Sequence, residues 1–432
     1  MSGRAPALAP EQPAGDRRVL GDGTALSLSA AVTGLAGLLC WIVAAATLPQ
    51  DAVGRASAFV SGFILVAGIA QLNAGLGILR WLPRAGARTG LLVGRAYLVV
   101  AVAATVAALV FLLLPAGDVV GHGMGGAGAL LFVPASVCWA LFQLQDYVLA
   151  ALGRAWWVPM FNGAFGLARV LALPVLGAAL GTFGVLVSWI APTVLFTVFA
   201  GVLILVLVRQ RTVRAVQAGI PAELPGRREV LSFLGPTYLA TIGTAVLYNS
   251  VPLLVIGHYG PALGATFFVI WTGLNAADYA VNGFVNSMVL RGSADPAARP
   301  SILRLVGKRL AVLVPAGAAA GAVLAPVLLG LFGHAYAEQG TAALRVLLAG
   351  LVLRVLVALG VAVRLMAGDG KGAGAIQASS AVLVLLGVLL APAGAALLGP
   401  ALGYLLAQCL VLVVVLPGLI RRFRERGGEV VR

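Results

Sequence analysis

Long apolar segments dominate this chain, and short polar interruptions separate them from Thr24 onward. A helix needs about 20 apolar residues to cross the hydrocarbon core of a bilayer. The pattern therefore predicts an all-α polytopic membrane protein with twelve transmembrane helices. The twelve segments lie at about residues 24–48, 53–81, 90–114, 127–152, 158–180, 182–208, 231–257, 261–291, 302–326, 341–366, 373–392 and 395–418.

Charge in the connecting segments predicts the orientation, because cytoplasmic loops carry an excess of Lys and Arg. One alternate set, about 49–52, 115–126, 181, 258–260, 327–340 and 393–394, contains no Lys or Arg. The other set contains most of the Lys and Arg of the chain. We therefore expect both termini in the cytoplasm, and a single missed helix would destroy this alternation.

The composition agrees with a membrane protein and excludes a soluble domain. Hydrophobic residues make up 61% of the chain, charged residues 10%, and the mean hydropathy is +1.04, whereas soluble domains are about 45–50% apolar. The net charge of +15 lies in short loops and does not indicate nucleic acid as a partner. Arginine far outnumbers lysine, and with the high Ala and Gly content this suggests a GC-rich bacterium as the source. We expect the protein in the bacterial cytoplasmic (inner) membrane.

The longest polar connection, residues 209–230, divides the chain into two six-helix lobes. Weak similarity between the halves, such as Gly54 and Gly264 opening the second and eighth segments, predicts that the lobes are pseudo-symmetric. Such internal repeats commonly hold a transport site at their interface. We expect a disordered tail over 1–23, an N-terminal lobe over 24–208, a linker over 209–230, a C-terminal lobe over 231–418 and a basic tail over 419–432.

Polar residues form stripes on two of the predicted helices. Segment 261–291 carries Asn275, Asp278, Asn282 and Asn286 at spacings of 3, 4 and 4, which place them on one helix face. Segment 231–257 has a similar stripe, and the second segment adds polar positions near its end. These stripes either line a wet cavity or join helices by hydrogen bonds. The additional residues are Thr237, Thr241, Thr244, Tyr248, Gln71 and Asn73.

Three charges are predicted to lie near the middle of the bilayer. Arg169, Asp278 and Arg354 each stand about ten or more residues from the ends of their segments. A guanidinium at the bilayer centre costs roughly 2.5–3.5 kcal/mol on insertion scales, so Arg169 needs a partner or water. It either pairs with Asp278 or Asp146, or faces a cavity for an anionic substrate. Both alternatives remain open at this level.

No catalytic pattern is present in the sequence. The three histidines, His122, His258 and His334, fall in connecting segments, and no metal-ligand spacing or phosphate-binding glycine loop occurs. The three cysteines show no motif spacing. We therefore expect a protein that is not an enzyme and has no cofactor, apart from a coupling ion such as H⁺ or Na⁺.

Two stretches carry a family resemblance. One has Gly54, the Gly75–Gly77 segment and Arg80; the other has Gly153-Arg154, Asn162 and the turn at 181–184. Together with the layout, they resemble the polysaccharide-biosynthesis flippases of the multidrug/oligosaccharidyl-lipid/polysaccharide exporter superfamily. The resemblance implies two lobes around a central cavity, lined by spans 1, 2, 7 and 8, that rock to give alternating access.

The resemblance also implies a substrate, a polyprenyl-diphosphate-linked oligosaccharide moved across the membrane, with membrane lipids and glycosyltransferases or a polymerase as partners. In that case the cavity candidates are the charges and stripes above: Arg169, Arg354, Asp278, Asn275, Asn282, Asn286, Thr241, Thr244, Tyr248 and Asn73. Asp278 is also the candidate for ion coupling. A cation-coupled multidrug exporter and a non-transporting scaffold of an envelope-synthesis complex are the alternatives.

Overall fold

The computed structural model describes residues 33–121, 125–295, 297 and 299–424. The predicted tail over 1–23, His122 and the end of the basic tail lie outside the described residues. Within these ranges the chain forms fourteen α-helices and three short 3₁₀ turns, and no strand. The fold is therefore all-α, as the apolar segments predict.

The N-terminal lobe contains the first eight helices. Helix α2 leads directly into the short α3, and α5 is a two-turn helix between α4 and α6. The bounds are α1 Thr33–Thr47, α2 Gln50–Ala70, α3 Ala74–Trp81, α4 Thr89–Leu112, α5 Pro115–Gly121, α6 Gly125–Ala151, α7 Trp157–Leu180 and α8 Thr182–Gln217.

The C-terminal lobe contains six long helices joined by short turns. Helices α9 and α10 are separated only by Gly260, whose φ of 85° favours glycine. The bounds are α9 Arg227–Tyr259, α10 Pro261–Ala294, α11 Arg299–Gly330, α12 His334–Met366, α13 Gly370–Leu389 and α14 Leu398–Arg424.

The twelve predicted spans are confirmed as α1, the α2–α3 pair, α4, α6 to α8 and α9 to α14. Ten helices of the described chain are long and apolar enough to cross a membrane. The other two are α1, described only from Thr33, and α10, which carries the polar stripe. Large apolar side chains such as Leu98, Leu171 and Val413 are exposed along the spans, as expected for helices that face lipid.

The second span differs from the prediction of one continuous segment over 53–81. It is broken between α2 and α3, where Leu72 and Asn73 have φ values of 50° and 54°. Asn adopts the left-handed conformation more readily than most residues, because its short side chain bonds locally. The break therefore occurs at the polar Gln71–Asn73 stretch, which hydropathy alone does not distinguish from a continuous helix.

The connection between the lobes is also shorter than predicted. Helix α8 has 36 residues, about 54 Å at 1.5 Å per residue, so it extends well beyond a hydrocarbon core of about 30 Å. Its last turns include the arginines at 209–214, and only residues 218–226 link it to α9. Because the spans alternate in direction, this connection lies at one end of the bundle, together with residues 82–88, 152–156, 295, 297 and 367–369. We call this end the arginine-rich end, and the opposite end, with residues 48–49, 181, 260 and 331–333, the arginine-poor end.

Candidate functional site

A buried polar cluster joins four helices of the C-terminal lobe, and we call it the C-lobe cluster: Tyr248, Asp278, Arg354 and Gln377. Arg354 of α12 and Asp278 of α10 are only 6% and 4% exposed. Arg354 Nε lies 3.8 Å from Asp278 Oδ1, and the hydroxyl of Tyr248 donates to Asp278 Oδ2. Arg354 Nη2 donates to Gln377 Oε1 across 3.2 Å. Two of the charges predicted near the bilayer centre therefore form one ion pair.

Aromatic residues hold the C-lobe cluster in place. Trp271 Nε1 donates to the backbone oxygen of Tyr248 at 2.8 Å, which ties α10 to α9. The same indole packs edge-on against Tyr404 of α14, with ring centroids 5.5 Å apart. Gly350 leaves space for the Tyr404 ring, since a β-carbon on it would lie 2.6 Å from Tyr404 Cδ1. These contacts hold the Trp271 turn of α10 against α9 and α14.

The C-lobe cluster keeps unused hydrogen-bonding capacity. Asp278 Oδ1 and Arg354 Nη1 are buried and have no hydrogen-bond partner in the described part of the chain. The 3.8 Å separation of the pair is too long for a hydrogen bond. A buried carboxylate in this condition can accept a proton or a cation, and a free guanidinium N–H can bind an anion. The geometry is thus compatible with both kinds of ligand.

The other stripe residues divide between buried and exposed positions. Asn275 is half-buried, Asn282 Nδ2 donates to the backbone oxygen of Asp278 at 2.9 Å, and Asn286 is exposed. Thr241 and Thr244 are half-buried and both engaged by neighbours, whereas the side chain of Thr237 lies outside the described residues. Only Asp278 of the α10 stripe belongs to the buried cluster. Asn282 and Asn286 continue the stripe toward the arginine-rich end, and Asn275 lies on the other side of Asp278.

Arg169 lies in a separate aromatic group inside the N-terminal lobe, which we call the N-lobe cluster: Cys40, Trp139, Phe165, Arg169 and Trp189. The Arg169 side chain is 2% exposed. Its guanidinium carbon lies 3.9 Å from the ring centroid of Trp189 and 5.1 Å from that of Phe165. Among the described residues no carboxylate approaches Arg169 within the 4.0 Å of an ion pair.

Neither acidic residue considered for Arg169 is its partner here. Asp278 is paired with Arg354, and Asp146 accepts a hydrogen bond from Asn162 Nδ2 at 3.0 Å. Cation–π contacts contribute about 2 kcal/mol when they are desolvated. The effective cost of burying an ion is several kcal/mol. The aromatic rings therefore offset only part of the cost of burying Arg169.

The remaining candidates lie apart from both clusters. Asn73 is 8% exposed and lies immediately before α3 at the break in the second span. Arg55 and Arg345 lie in the half of the bundle that includes the arginine-poor end; Arg55 pairs with Asp51 on its own helix, and Arg345 is exposed. No group of three or more His, Cys, Asp or Glu residues suited to a metal occurs in the described chain.

Sequence reasoning missed Gln377, Tyr404, Trp271 and Trp189. Gln377 gave a usable signal, because it is a long polar side chain inside an apolar segment. The three aromatic residues gave none, since aromatic residues in apolar spans usually serve packing. Their roles follow from which helix faces meet.

The two lobes contact each other closely at the arginine-poor end. Gln50 at the start of α2 donates to Thr266 Oγ1 at 2.6 Å and to Gln339 Oε1 at 2.8 Å. Gly54 lies directly against the backbone carbonyl of Pro261, where a β-carbon would not fit. Deeper in, Trp41 of α1 packs against Phe268 with ring centroids 4.7 Å apart. Helices α1 and α2 thus join α10 over the half of the bundle that includes this end.

Toward the arginine-rich end, α10 no longer packs on all sides. Residues 265–271 are buried, whereas Tyr279, Phe284 and Asn286 are exposed, the first two by 59% and 51%. Helices α2 and α3 stay attached to α9 here, because Tyr238 donates to the Ile69 oxygen at 2.7 Å and Trp81 Nε1 to Glu229 at 3.0 Å. The lobes are therefore joined along α2 and α9 and separate along α10.

These features define a polytopic α-helical membrane protein of two six-helix lobes. No family model and no curated protein matches the chain. Among solved structures, the chain is similar to the inward-facing conformation of a multidrug resistance MATE family transporter of the MOP superfamily. The similarity covers 90% of this chain and 94% of that chain, with a TM-score of 0.69 and 16% identity. The outward-facing conformation of a multidrug resistance MATE family transporter matches over 94% of this chain and 95% of that one, with a TM-score of 0.59 and 16% identity.

A further similar structure is a MOP superfamily transporter from Pyrococcus furiosus, which is described as having a binding pocket of reverse polarity. The similarity covers 94% of this chain and 95% of that chain, with a TM-score of 0.56 and 17% identity. At these identities the comparisons establish a shared fold. The chain has the twelve-helix, two-lobe fold of MATE transporters, as the sequence predicts.

Proposed function

We propose that this chain is a membrane transporter that works by alternating access. The observation that carries the proposal is the asymmetry of the lobe contact: α10 is held by the other lobe at the arginine-poor end and exposed at the arginine-rich end. The TM-score is higher to an inward-facing structure than to an outward-facing one, and this supports an inward-facing state. With the arginine-rich end in the cytoplasm, the chain would be an inward-open, multi-pass protein of a bacterial inner membrane, and no catalytic role is proposed.

We propose a lipid-linked, anionic oligosaccharide on polyprenyl diphosphate as the substrate. Exposed cations at the arginine-rich end, including Arg80, Arg291 and Lys308, would attract a diphosphate headgroup at the membrane surface. The exposed Asn286, Tyr279 and Phe284 on α10 offer amide and aromatic groups suited to sugars. Release of Arg354 from Asp278 in another state would supply a guanidinium for the phosphates, which it binds bidentately.

A cation-coupled multidrug exporter is the second candidate. The observation that favours it is the buried Asp278 oxygen without a hydrogen-bond donor, because a carboxylate of this kind can take up H⁺ or Na⁺. The similar solved structures are named as multidrug resistance transporters. In this case Asp278 would couple ion movement to substrate movement, and the preferred substrates would be lipophilic cations.

Reconstituted proteoliposomes distinguish these candidates. One assay follows a fluorescent polyprenyl-diphosphate oligosaccharide by loss of access to a membrane-impermeant quencher; the other follows a cationic dye under an imposed H⁺ or Na⁺ gradient. Both assays use the wild-type chain, Arg354→Gln, Asp278→Asn and the control Arg345→Gln, which alters an exposed arginine of the same helix α12.

The flippase proposal expects translocation of the glycolipid by the wild type and the control, and its loss in Arg354→Gln. Dye efflux that depends on Asp278, without glycolipid translocation, would contradict the flippase proposal and support the multidrug exporter. Inactivity of the folded wild type in both assays would leave the scaffold as the remaining function.

A further inference from the structure

The N-lobe cluster contains three buried N–H donors, and the other polar group among its five members is the Cys40 thiol, a weak acceptor. Arg169 Nε, Trp189 Nε1 and Trp139 Nε1 are each buried without a hydrogen-bond partner in the described part of the chain. Buried polar groups are nearly always paired, so one unpaired donor in a structure requires an explanation. Here three unpaired donors occur in one group of contacting side chains, and one of them belongs to a cation.

The three donors are carried by neighbouring side chains. The guanidinium of Arg169 stacks on the Trp189 ring at 3.9 Å, and the rings of Trp189 and Trp139 have centroids 5.9 Å apart. Phe165 packs against Trp139 with centroids at 5.8 Å. On the side of α1, a β-carbon on Gly37 would lie 3.8 Å from Arg169 Nη2, so the guanidinium also faces this helix. Helices α1, α6, α7 and α8 thus enclose the donors.

The charge of the N-lobe cluster is not balanced by the chain. No described carboxylate lies within 4.0 Å of Arg169, and Cys40 beside it is fully buried. Apart from the Cys40 sulfur, the cluster therefore presents one positive charge and N–H donors. An enclosed region of this kind favours an anion, because each N–H gains a partner and the guanidinium gains a counter-ion.

We propose that the N-lobe cluster binds one small monovalent anion of the chloride or bromide class beside Arg169. A halide needs only N–H donors, whereas phosphate carries a higher dehydration cost and more acceptor oxygens than three donors can satisfy. One negative charge matches the single arginine. The indole N–H groups are donors only, so they cannot serve a cation.

This site is separate from the proposed transport pathway. Arg169 is 2% exposed, and Trp41 lies between Trp189 and the Phe268 ring of the other lobe. The anion would complete the interior of the N-terminal lobe and stabilise it, whatever the transported substrate is. The inference therefore does not depend on the proposed function.

Thermal unfolding of the purified full-length protein in detergent tests the site, because a ligand that binds only the folded state raises Tm with its concentration. We expect a saturable rise in Tm when chloride or bromide replaces gluconate at constant ionic strength. Arg169→Gln should lose this rise, and the control Arg345→Gln should keep it. Crystals grown in bromide should show anomalous scattering next to Arg169.

A second variant keeps the test decisive if Arg169→Gln does not fold. Trp189→Phe retains an aromatic ring but lacks the indole N–H, so half-maximal stabilisation should need a several-fold higher halide concentration. Equal Tm values of the wild type in chloride and gluconate would overturn the proposal.

Discussion

Gln50 and Thr266 connect the two lobes by a direct side-chain hydrogen bond, with Nε2 of Gln50 2.6 Å from Oγ1 of Thr266. Gln339 of α12 accepts from both residues, at 2.8 Å and 3.1 Å. This three-residue group, Gln50, Thr266 and Gln339, is the lobe latch. Because it lies at the arginine-poor end, any state open at that end must break it.

Removing the lobe latch should favour opening at the arginine-poor end. In Gln50→Leu both cross-lobe hydrogen bonds are lost, and a net contribution of about 0.5–1.5 kcal/mol for each predicts a several-fold to over tenfold shift in the populations. Distances between spin labels on the two lobes at this end measure the shift. Thr105→Val is the control, since Thr105 bonds only within its own helix, to Ala101 at 2.9 Å; unchanged distances in Gln50→Leu would contradict the role of the latch.

The buried pair of Arg354 and Asp278 should respond to substitution as a unit. Removing one partner leaves an uncompensated buried charge, so Arg354→Gln and Asp278→Asn should each destabilise the fold by about 3–5 kcal/mol. The double variant should recover most of this loss, because both charges are gone. Thermal unfolding in detergent measures the three variants against Arg345→Gln, which should be close to the wild type. Additive losses in the double variant would show that the two groups do not interact.

We expect Tyr248 to stabilise the fold through its hydroxyl group. Tyr248→Phe keeps the ring that packs against Tyr279 with centroids at 5.0 Å, but it removes the donor to Asp278 Oδ2. A hydrogen bond to a charged group contributes about 1.5–3 kcal/mol, and we expect a loss of stability of this size. In the Asp278→Asn background, Tyr248→Phe should reduce the stability of the fold much less. A double-mutant cycle of unfolding measurements determines this difference. Equal losses in both backgrounds would exclude the coupling.

The contact of α13 with α14 should be sensitive to any side chain at Gly387. A β-carbon there would lie 2.6 Å from the Gly403 backbone oxygen, so the two backbones must move apart. Gly387→Ala should therefore cost about 1–3 kcal/mol, as overpacked interiors do. Gly374→Ala on the same helix has nothing within 4 Å of the new carbon and should be neutral or slightly stabilising, because Ala is a better helix former than Gly. Equal effects of the two substitutions in thermal unfolding would contradict this account.

The sequence by itself determined the twelve spans and the separation of charge between the two ends. Both are local properties: each span satisfies its backbone hydrogen bonds internally, and its length and apolar character alone allow it to cross a bilayer. The break in the second span at Leu72 and Asn73 could not be predicted from hydropathy, because it depends on two backbone conformations inside an otherwise apolar segment.

Sequence also placed Arg169, Asp278 and Arg354 at similar depth, which narrowed the choice of partners. Only the tertiary structure decided that Asp278 pairs with Arg354 and that Arg169 lies among aromatic rings. Depth is fixed by counting residues along a helix. The partner depends on how each helix is rotated and which neighbours it packs against, and this is set by contacts between residues that are far apart in the chain.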